Sequence, residues 1–257
     1  MPLTETQIRK IEGIIKDCLR EKFSSYNPET NNMPFHFHLL GRDRMALYSF
    51  IHSVATSFGI SIFQPIAETL ASLKFPAAQK QFSVGNLISE KAQEEIQHIM
   101  DKLSLGGTSN KVAEIERIRN VCTKGRTIKT KTVNVDLYVK DINGTVHLFE
   151  IKTAKPNKGN FKEFKRTLLE WIALYLFQHP DGDVQSYVAI PYNPYEPKPY
   201  ARWTIGGMLD LEHELKVAEE FWDFLGGQGA YTEVLGCFER VGIELKPEID
   251  SYFSRFK

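Results

Sequence analysis

Apolar and polar residues alternate most regularly between residues 132 and 153. In the first half every second residue is apolar, which predicts a β-strand with four side chains on one face: Val133, Val135, Leu137 and Val139. Asp136 points to the opposite face of this strand. Residues 145–153 predict a second strand, on which Glu150 and Lys152 lie two positions apart and share a face. Because Gly144 separates the two runs, the pattern predicts a β-hairpin.

The length of the turn determines which side chains of this hairpin meet. With a three-residue loop, Ile142–Gly144, in which the glycine is left-handed, Asp136 lies directly opposite Glu150. The same register pairs Leu137 with Phe149 and Lys152 with Asn134. A two-residue Asn-Gly turn would shift the register by one position and separate the carboxylates. We favour the three-residue loop because every residue then has a suitable side, and it places the two acidic Cβ atoms about 5 Å apart.

Helical periodicity lies on both sides of the hairpin. Apolar residues recur every three or four positions over 161–177 and predict a helix that ends before His179-Pro180. Residues 184–190 predict a third strand, and residues 111–122 predict a helix before the hairpin. We therefore expect an α/β protein with a central mixed β-sheet, core elements in the order αββαβ, and many flanking helices.

Both flanks of this core are predicted to be mostly helical. On the N-terminal side the periodicity predicts helices at 5–23 with a cap at Thr4, 43–58, 66–73 and 85–105. On the C-terminal side it predicts helices at 209–225, 231–240 and 247–256. The chain then divides into an N-terminal helical region (1–108) packed on the core, a core (109–204) and a C-terminal helical region (205–257).

The composition is that of a globular protein, with 42% hydrophobic and 25% charged residues among 257. That length allows one elaborated domain or two small ones. No N-terminal apolar segment suggests secretion, and no stretch is expected to reach the length of a membrane span. The three cysteines have neither the spacing of a zinc site nor that of a disulfide framework. A cytoplasmic protein with reduced thiols is therefore expected.

Two histidines form a weaker candidate for metal binding. His36 and His38 would share one face if residues 35–38 formed a strand. No third ligand lies nearby in the sequence, so we do not expect them to bind a metal.

Positive charge is concentrated around the hairpin. Residues 117–168 contain thirteen lysines and arginines against four acids, a net charge of +9, whereas the whole chain has a formal net charge of 0. Such a gradient suits a phosphodiester substrate, because the cations neutralise its backbone. The alternative is a lysine-rich solvated surface around an edge strand.

An aspartate on one strand and Glu-x-Lys on the next resemble the PD-(D/E)XK nuclease superfamily. Asp136, Glu150 and Lys152 carry the resemblance, Ile151 is the apolar x, and Val135 stands where the family has proline. The αββαβ order is also that of this superfamily. The alternative is a solvated hairpin face with an ion pair between Glu150 and Lys152.

A narrower resemblance comes from the length, the helical N-terminal half and the run 150–159, which look like a type II restriction endonuclease. The continuing run 161–171 is similar to the TdeIII-type family. That resemblance implies cleavage at a short GGNCC-like pseudopalindrome.

The resemblance implies Mg²⁺-dependent hydrolysis of DNA. Asp136 and Glu150 would be metal ligands, with the backbone carbonyl of Ile151 as a third. Lys152 would orient or deprotonate the attacking water and stabilise charge in the transition state.

Further charged residues have candidate roles beside these three. A second ion would need another carboxylate, for which the preceding helix offers Glu114 or Glu116; ordinary helix-surface charge is the alternative for both. Base readout is predicted for Lys198 and Arg202, in and just after the proline- and tyrosine-rich loop 191–200. Other DNA contacts are predicted for basic residues that follow the hairpin: Lys155, Lys158, Lys162, Lys165 and Arg166.

Double-stranded DNA is the expected partner, read by a homodimer because two sites cut the two strands of a near-palindrome. DNA binding or dimerisation is the role expected for the N-terminal region 1–108. A prokaryotic host with a cognate DNA methyltransferase is expected, and no membrane association. The alternatives are a structure-selective repair or junction-resolving nuclease, a non-catalytic DNA-binding module, and a helical protein-interaction domain. Intact Asp136, Glu150 and Lys152 favour an enzyme over a binding module. DNA affinity that falls steeply with salt would exclude the interaction domain.

Overall fold

The fold is a five-stranded mixed sheet with helices on both faces. The computed structural model describes residues 3–28, 33–152, 160–200 and 207–256. The strands are β1 (Ala77–Ser89), β2 (Thr127–Lys140), β3 (Val146–Ile151), β4 (Val184–Ile190) and β5 (Leu215–Val217), and they lie in this order across the sheet. Strands β1, β2 and β3 pair antiparallel, whereas β3, β4 and β5 pair parallel. The predicted α/β class with a mixed sheet is confirmed.

The helices surround this sheet. They are α1 (Glu5–Ser25), α2 (Pro34–Leu40), α3 (Arg42–Ser57), a π-helical segment (Phe58–Phe63), α4 (Gln64–Lys74), α5 (Glu90–Ser104), α6 (Lys111–Arg119), α7 (Asn160–Gln178), α8 (Glu219–Gly226), α9 (Ala230–Glu244) and α10 (Lys246–Ser254). The order α6–β2–β3–α7–β4 is the predicted αββαβ order. The predicted cap of α1 is also present, since the Thr4 side chain accepts a hydrogen bond from the Gln7 N–H.

The hairpin has the predicted three-residue loop. Gly144 has a φ of 89°, and the Asp141 N–H donates to the Thr145 carbonyl at 2.9 Å, which closes the loop. The ladder pairs Leu137 with Phe149 and continues to Lys140 and Val146. Asp136 and Glu150 are therefore the next residues on their strands in the predicted register.

Two apolar cores lie on opposite sides of the sheet. The first fills the space beneath α5, α6 and α7 and includes Val135, and the second lies beneath α1, α4, α8 and α9 and includes Leu137 and Val139. The prediction that these valines and leucine share one face is therefore wrong. The face divides at Asp136, where Gln81 lies opposite on β1 with a φ of 50°, between the pairs Lys80–Leu137 and Phe82–Val135.

Two strands include residues for which the sequence predicted helices. The predicted helix 85–105 begins only at Glu90, because Ser89 is its cap and accepts a hydrogen bond from the Ala92 N–H at 3.0 Å. The residues before it form β1 along the edge of β2. Likewise the predicted helix 209–225 is shortened to α8, because residues 215–217 pair with β4 as β5.

The regions expected at 1–108 and 205–257 each contribute one of these strands to the central sheet. The sheet therefore extends across residues 108 and 204. The expected division of the chain at these two positions stays a prediction.

The segment 35–38 belongs to α2 and not to a strand. Successive helical residues are about 100° apart, so His36 and His38 point to different sides and do not form a pair of ligands.

One helical run among the described residues, Arg42–Lys74, is long and apolar enough to cross a membrane by length and composition. The expectation that no stretch reaches this length is therefore wrong, because the π-helical segment joins two predicted helices into one. The C-terminal part of the run lies in the second core, where Ile62, Ile66 and Leu70 are fully buried.

Candidate active site

The hairpin brings the three predicted catalytic residues together. Asp136 lies one position beyond the last β2–β3 pair, Leu137–Phe149, and its Oδ2 accepts a hydrogen bond from the Ile151 N–H at 2.8 Å. Glu150 forms an ion pair with Lys152. The Lys152 ammonium also lies 5.4 Å from the centre of the Phe164 ring on α7, which limits the directions that this flexible side chain can take.

The two carboxylates share a site that is poor in compensating charge. Burial raises the pKa of Asp136, against the opposing effects of the Ile151 N–H and of Lys152. Burial also raises the pKa of Glu150, and the charge of Asp136 raises it further. Lys152 supplies one positive charge for two carboxylates. The site therefore favours a further cation, and hard carboxylate oxygens are the ligands that Mg²⁺ prefers.

A glutamine far away in the sequence completes the surroundings of Asp136. Gln64, the buried first residue of α4, donates from Nε2 to Asp136 Oδ1 at 2.8 Å. Gln81 on β1 donates to Gln64 Oε1 at 2.9 Å and lies 3.4 Å from Asp136 Oδ1. Both carboxylate oxygens of Asp136 are thus held by donors, one from α4 and one from β3.

Sequence reasoning missed both glutamines. Residues 45–67 contain no Asp, Glu, Lys or Arg, so Gln64 is a polar residue within an uncharged run, and this is the only local signal. Gln81 has a left-handed φ of 50°, which costs a non-glycine residue on the order of 1 kcal/mol. Such strain beside a carboxylate pair indicates that the position of the Gln81 side chain matters to the site.

Neither of the two further metal-ligand candidates joins this site. Glu114 accepts from Lys165 Nζ at 2.5 Å, and Glu116 pairs with Arg119 at 3.3 Å on the surface. Across the residues that the structure describes, no group of three or more acidic, histidine or cysteine side chains could hold a metal ion. Because Glu114 is paired with Lys165 and Glu116 with Arg119, and neither lies with Asp136 and Glu150, the prediction of a metal-binding role for Glu114 or Glu116 is wrong. The role predicted for the Ile151 carbonyl stays a prediction.

The DNA contact predicted for Lys165 is also wrong. Its side chain is completely buried, and Nζ bonds to Glu114, to Glu214 at 2.6 and 2.8 Å, and to Ser109 at 2.8 Å. On α7 it lies one position after Phe164, on the side of the helix that faces the protein interior. Lys165 thus joins α7 to α6 and to the segment that precedes β5.

A second buried lysine lies beside this cluster. Lys111 Nζ donates to the carbonyls of Ser186 and His213, each at 2.7 Å, and lies 3.8 Å from the centre of the Tyr187 ring. Burial lowers the pKa of Lys111 to about 7. The two lysines hold the segment before β5 against the sheet.

The other basic candidates differ in their surroundings. Lys162 and Lys198 are exposed. Arg166 is half-buried and donates to Gln97 Oε1 at 2.7 Å, beside a cleft between α5 and α7. Three further candidates, Lys155, Lys158 and Arg202, lie outside the described residues.

Known restriction enzymes are similar to this chain over most of its length. The chain is 27% identical to the type II restriction enzyme HgiEI of Herpetosiphon aurantiacus over 84% of its own length and 79% of that protein. It is 25% identical to HgiBI of the same organism, over 88% and 83% of the two chains. It is 24% identical to the type II restriction enzyme MjaII of Methanocaldococcus jannaschii, over 89% and 68%.

A family model covers nearly the whole chain. Residues 3–242 match the model of the HinfI type II restriction endonucleases. This match spans the helical N-terminal region, the carboxylate pair and Lys152, and most of the C-terminal helices. The chain therefore belongs to the HinfI family of type II restriction endonucleases, hydrolases that cut DNA at specific sites.

Proposed function

We propose that this endonuclease cuts both strands of its site by Mg²⁺-dependent hydrolysis at Asp136, Glu150 and Lys152. The observation that carries the proposal is the pair of carboxylates on adjacent strands, whose pKa values burial raises, with one lysine that forms an ion pair with Glu150 and acts on Asp136 through its charge. A solvated hairpin face, the alternative interpretation, would not bury these groups or hold Asp136 with donors from two other elements.

Asp136 and Glu150 would hold the cation. Their mutual repulsion and burial fit a divalent ion, which would bring both pKa values down. When bound, Mg²⁺ supplies a Lewis acid for the phosphate oxygen and lowers the pKa of a coordinated water. The backbone carbonyl of Ile151 is the proposed third ligand.

The remaining chemistry belongs to groups of the chain itself. Lys152, which lies beside both carboxylates, would orient or deprotonate the attacking water and stabilise the charge that develops on the phosphate. Gln64 and the Ile151 N–H fix the orientation of Asp136 through its two oxygens. Exposed Lys162 and Lys198 neutralise the DNA backbone or read bases, together with Lys155, Lys158, Arg166 and Arg202.

The proposed assembly is a homodimer on a pseudopalindrome, since two-fold symmetric DNA is matched by a two-fold symmetric protein. The TdeIII-type resemblance implies a GGNCC-like site. The PD-(D/E)XK core is proposed from the αββαβ order and from Asp136, Glu150 and Lys152. We further propose a prokaryotic cytoplasm as the location, with a cognate methyltransferase that protects host DNA.

Digestion of long duplex DNA with and without Mg²⁺ tests the proposal. Discrete bands that require Mg²⁺ are expected, and mapping their ends gives the recognition site. Lys152→Ala should lower the cleavage rate by about 100- to 1,000-fold, the usual effect of losing one such electrostatic contact. Lys140→Ala, at the exposed end of β2, is the matched control and should cut at the wild-type rate.

Three results would contradict this assignment. Near wild-type cutting by Lys152→Ala would show that the site is elsewhere. A smear in place of bands would favour a structure-selective nuclease. No cutting of either methylated or unmethylated DNA would favour a binding module.

A further inference from the structure

An apolar surface lies on the N-terminal helices, away from the two cores of the sheet. In α2, none of the seven residues is buried, although four are large and apolar, and Phe35 and Leu39 are 87% and 80% exposed. In α3, Leu47, Ile51 and Ala55 are exposed and follow one another at four-residue spacing, so they form one stripe. We call α2 and this stripe the α2–α3 face.

The α2–α3 face is not the side of α3 that holds the helix in the protein. Phe50 packs against Tyr252 and Phe253 of α10, with ring centroids 5.0 and 5.3 Å apart. Met45 and Ala46 are also buried. The Leu47 and Ile51 side chains point away from this contact and remain exposed.

The stripe continues into a cavity. Ala55 and Phe58 line a cavity of about 710 Å³ whose other walls include Phe63, Trp222 and Phe238. Two half-exposed side chains, Tyr192 and Leu235, also line it. A cavity of this size accepts a bulky apolar side chain from another molecule, and it lies where the stripe ends.

The exposed area has the size of a protein interface. Seven side chains of the face and of the cavity, Phe35, Leu39, Leu40, Leu47, Ile51, Tyr192 and Leu235, expose between 41% and 87% of their surface. If each presents about 150–200 Å² when fully exposed, they offer roughly 600–800 Å² together. That is about the 800 Å² that each partner contributes to a standard interface, and at or above the largest patch of a typical monomer.

Charged side chains are absent from most of α3 and from the π-helical segment that follows it. Residues 45–67 contain no lysine, arginine, aspartate or glutamate, although α3 is a surface helix. Depletion of charge at the centre and enrichment of aromatic residues are the compositional signature of interfaces.

We infer that the α2–α3 face is the interface with a second copy of this chain. The inference rests on the proposed homodimer and names the surface that forms it. An isologous interface needs one self-complementary patch, and a protruding α2 beside an apolar cavity provides both parts on one molecule. The helix that carries the stripe continues, through the π-helical segment, to Gln64 at Asp136, so this interface is directly joined to the active site.

A membrane is the less favoured occupant. The run Arg42–Lys74 cannot enter a bilayer as a whole without removing Ile62, Ile66 and Leu70 from the second core. Only its exposed N-terminal half is available, and a second copy covers that half without unfolding.

Sedimentation equilibrium of the full chain tests the inference. The wild-type protein should have twice the chain mass of 29.5 kDa in the low micromolar range. Ile51→Arg places an unpaired charge on the stripe and should raise the dimer dissociation constant about 30-fold or more, with an unchanged circular dichroism spectrum. Ile142→Arg, an 88% exposed isoleucine in the hairpin loop, is the matched control and should remain dimeric.

The result that would overturn the inference is a monomeric wild-type protein throughout the micromolar range, or an Ile51→Arg variant that is still dimeric. Flotation with phosphatidylcholine–phosphatidylglycerol liposomes that is lost in Ile51→Arg would overturn it in favour of a membrane. Because mass is measured without DNA or Mg²⁺, failure of this inference differs from failure of the proposed cleavage. The latter would appear as a dimer that does not cut.

Discussion

Lys162 and Lys165 are three residues apart on α7, and the sequence gives both the same predicted role in DNA binding. The structure separates them, because Lys162 is exposed and Lys165 is fully buried against two carboxylates. Replacement of each lysine by methionine keeps most of the length of the side chain and removes the ammonium group, with its charge and its N–H donors. The pair of variants therefore tests the structure of the buried cluster directly.

The size of the effect follows from what remains in the cluster. In Lys165→Met, the carboxylates of Glu114 and Glu214 keep their burial but lose the ammonium that bonds to both. Breaking a buried ion pair by removal of one partner costs about 3–5 kcal/mol of unfolding free energy. For a chain of this size that corresponds to a fall in Tm of roughly 6–20 °C.

The pH dependence of this loss has a defined sign. Burial already raises the pKa of Glu214, and removal of Lys165 raises it further. A carboxyl with a raised folded-state pKa contributes stability below its unfolded pKa and loses it as pH rises through the folded value. The gap in unfolding free energy between wild type and Lys165→Met should therefore widen from pH 5 to pH 8.

Urea denaturation at both pH values and DNA binding at several salt concentrations measure these effects. Lys162→Met should unfold like the wild type, within about 0.5 kcal/mol, while its DNA affinity falls and its salt dependence is reduced by about one phosphate contact. If Lys165→Met unfolds like Lys162→Met, or if its destabilisation is the same at both pH values, the account of the buried cluster is refuted.

Three further predictions concern the active site and the second buried lysine. Glu150→Gln should be at least as stable as the metal-free wild type, and its advantage should grow above pH 4.5, because the raised pKa of Glu150 lowers the stability of the wild type there. In thermal unfolding, added Mg²⁺ should stabilise the wild type but not this variant. Gln64→Leu should lower the single-turnover cleavage rate by about 10-fold or more, because it removes the hydrogen bond that orients Asp136. Gln64→Glu should not restore the wild-type rate, because it adds a negative charge and removes the N–H donor. The pKa of Lys111 is lowered from 10.5 to about 7, so the unfolding free energy of the wild type, relative to Lys111→Met, should rise by up to about 1.4 kcal/mol per pH unit between pH 7 and 10.5. A difference in unfolding free energy that stays constant over this interval would contradict the prediction.

The hairpin and its register are what the sequence by itself determined. The three-residue loop is a local property, so it pairs Leu137 with Phe149 and brings Asp136 near Glu150 without help from the rest of the chain. The helix α7 and strand β4 follow from equally local periodicity. These elements supplied the αββαβ order and the residues of the candidate site.

Tertiary structure decided the features whose partners are distant in the chain. Gln64 is 72 residues from Asp136, and Lys165 is 51 and 49 residues from its two glutamates. Whether a lysine contacts DNA or fills a buried cluster depends on carboxylates that only folding brings beside it, because a buried charge is tolerated only when it is paired. The edge strands β1 and β5 were missed for the same reason, since a strand is defined by backbone hydrogen bonds to another part of the chain and not by its own pattern alone.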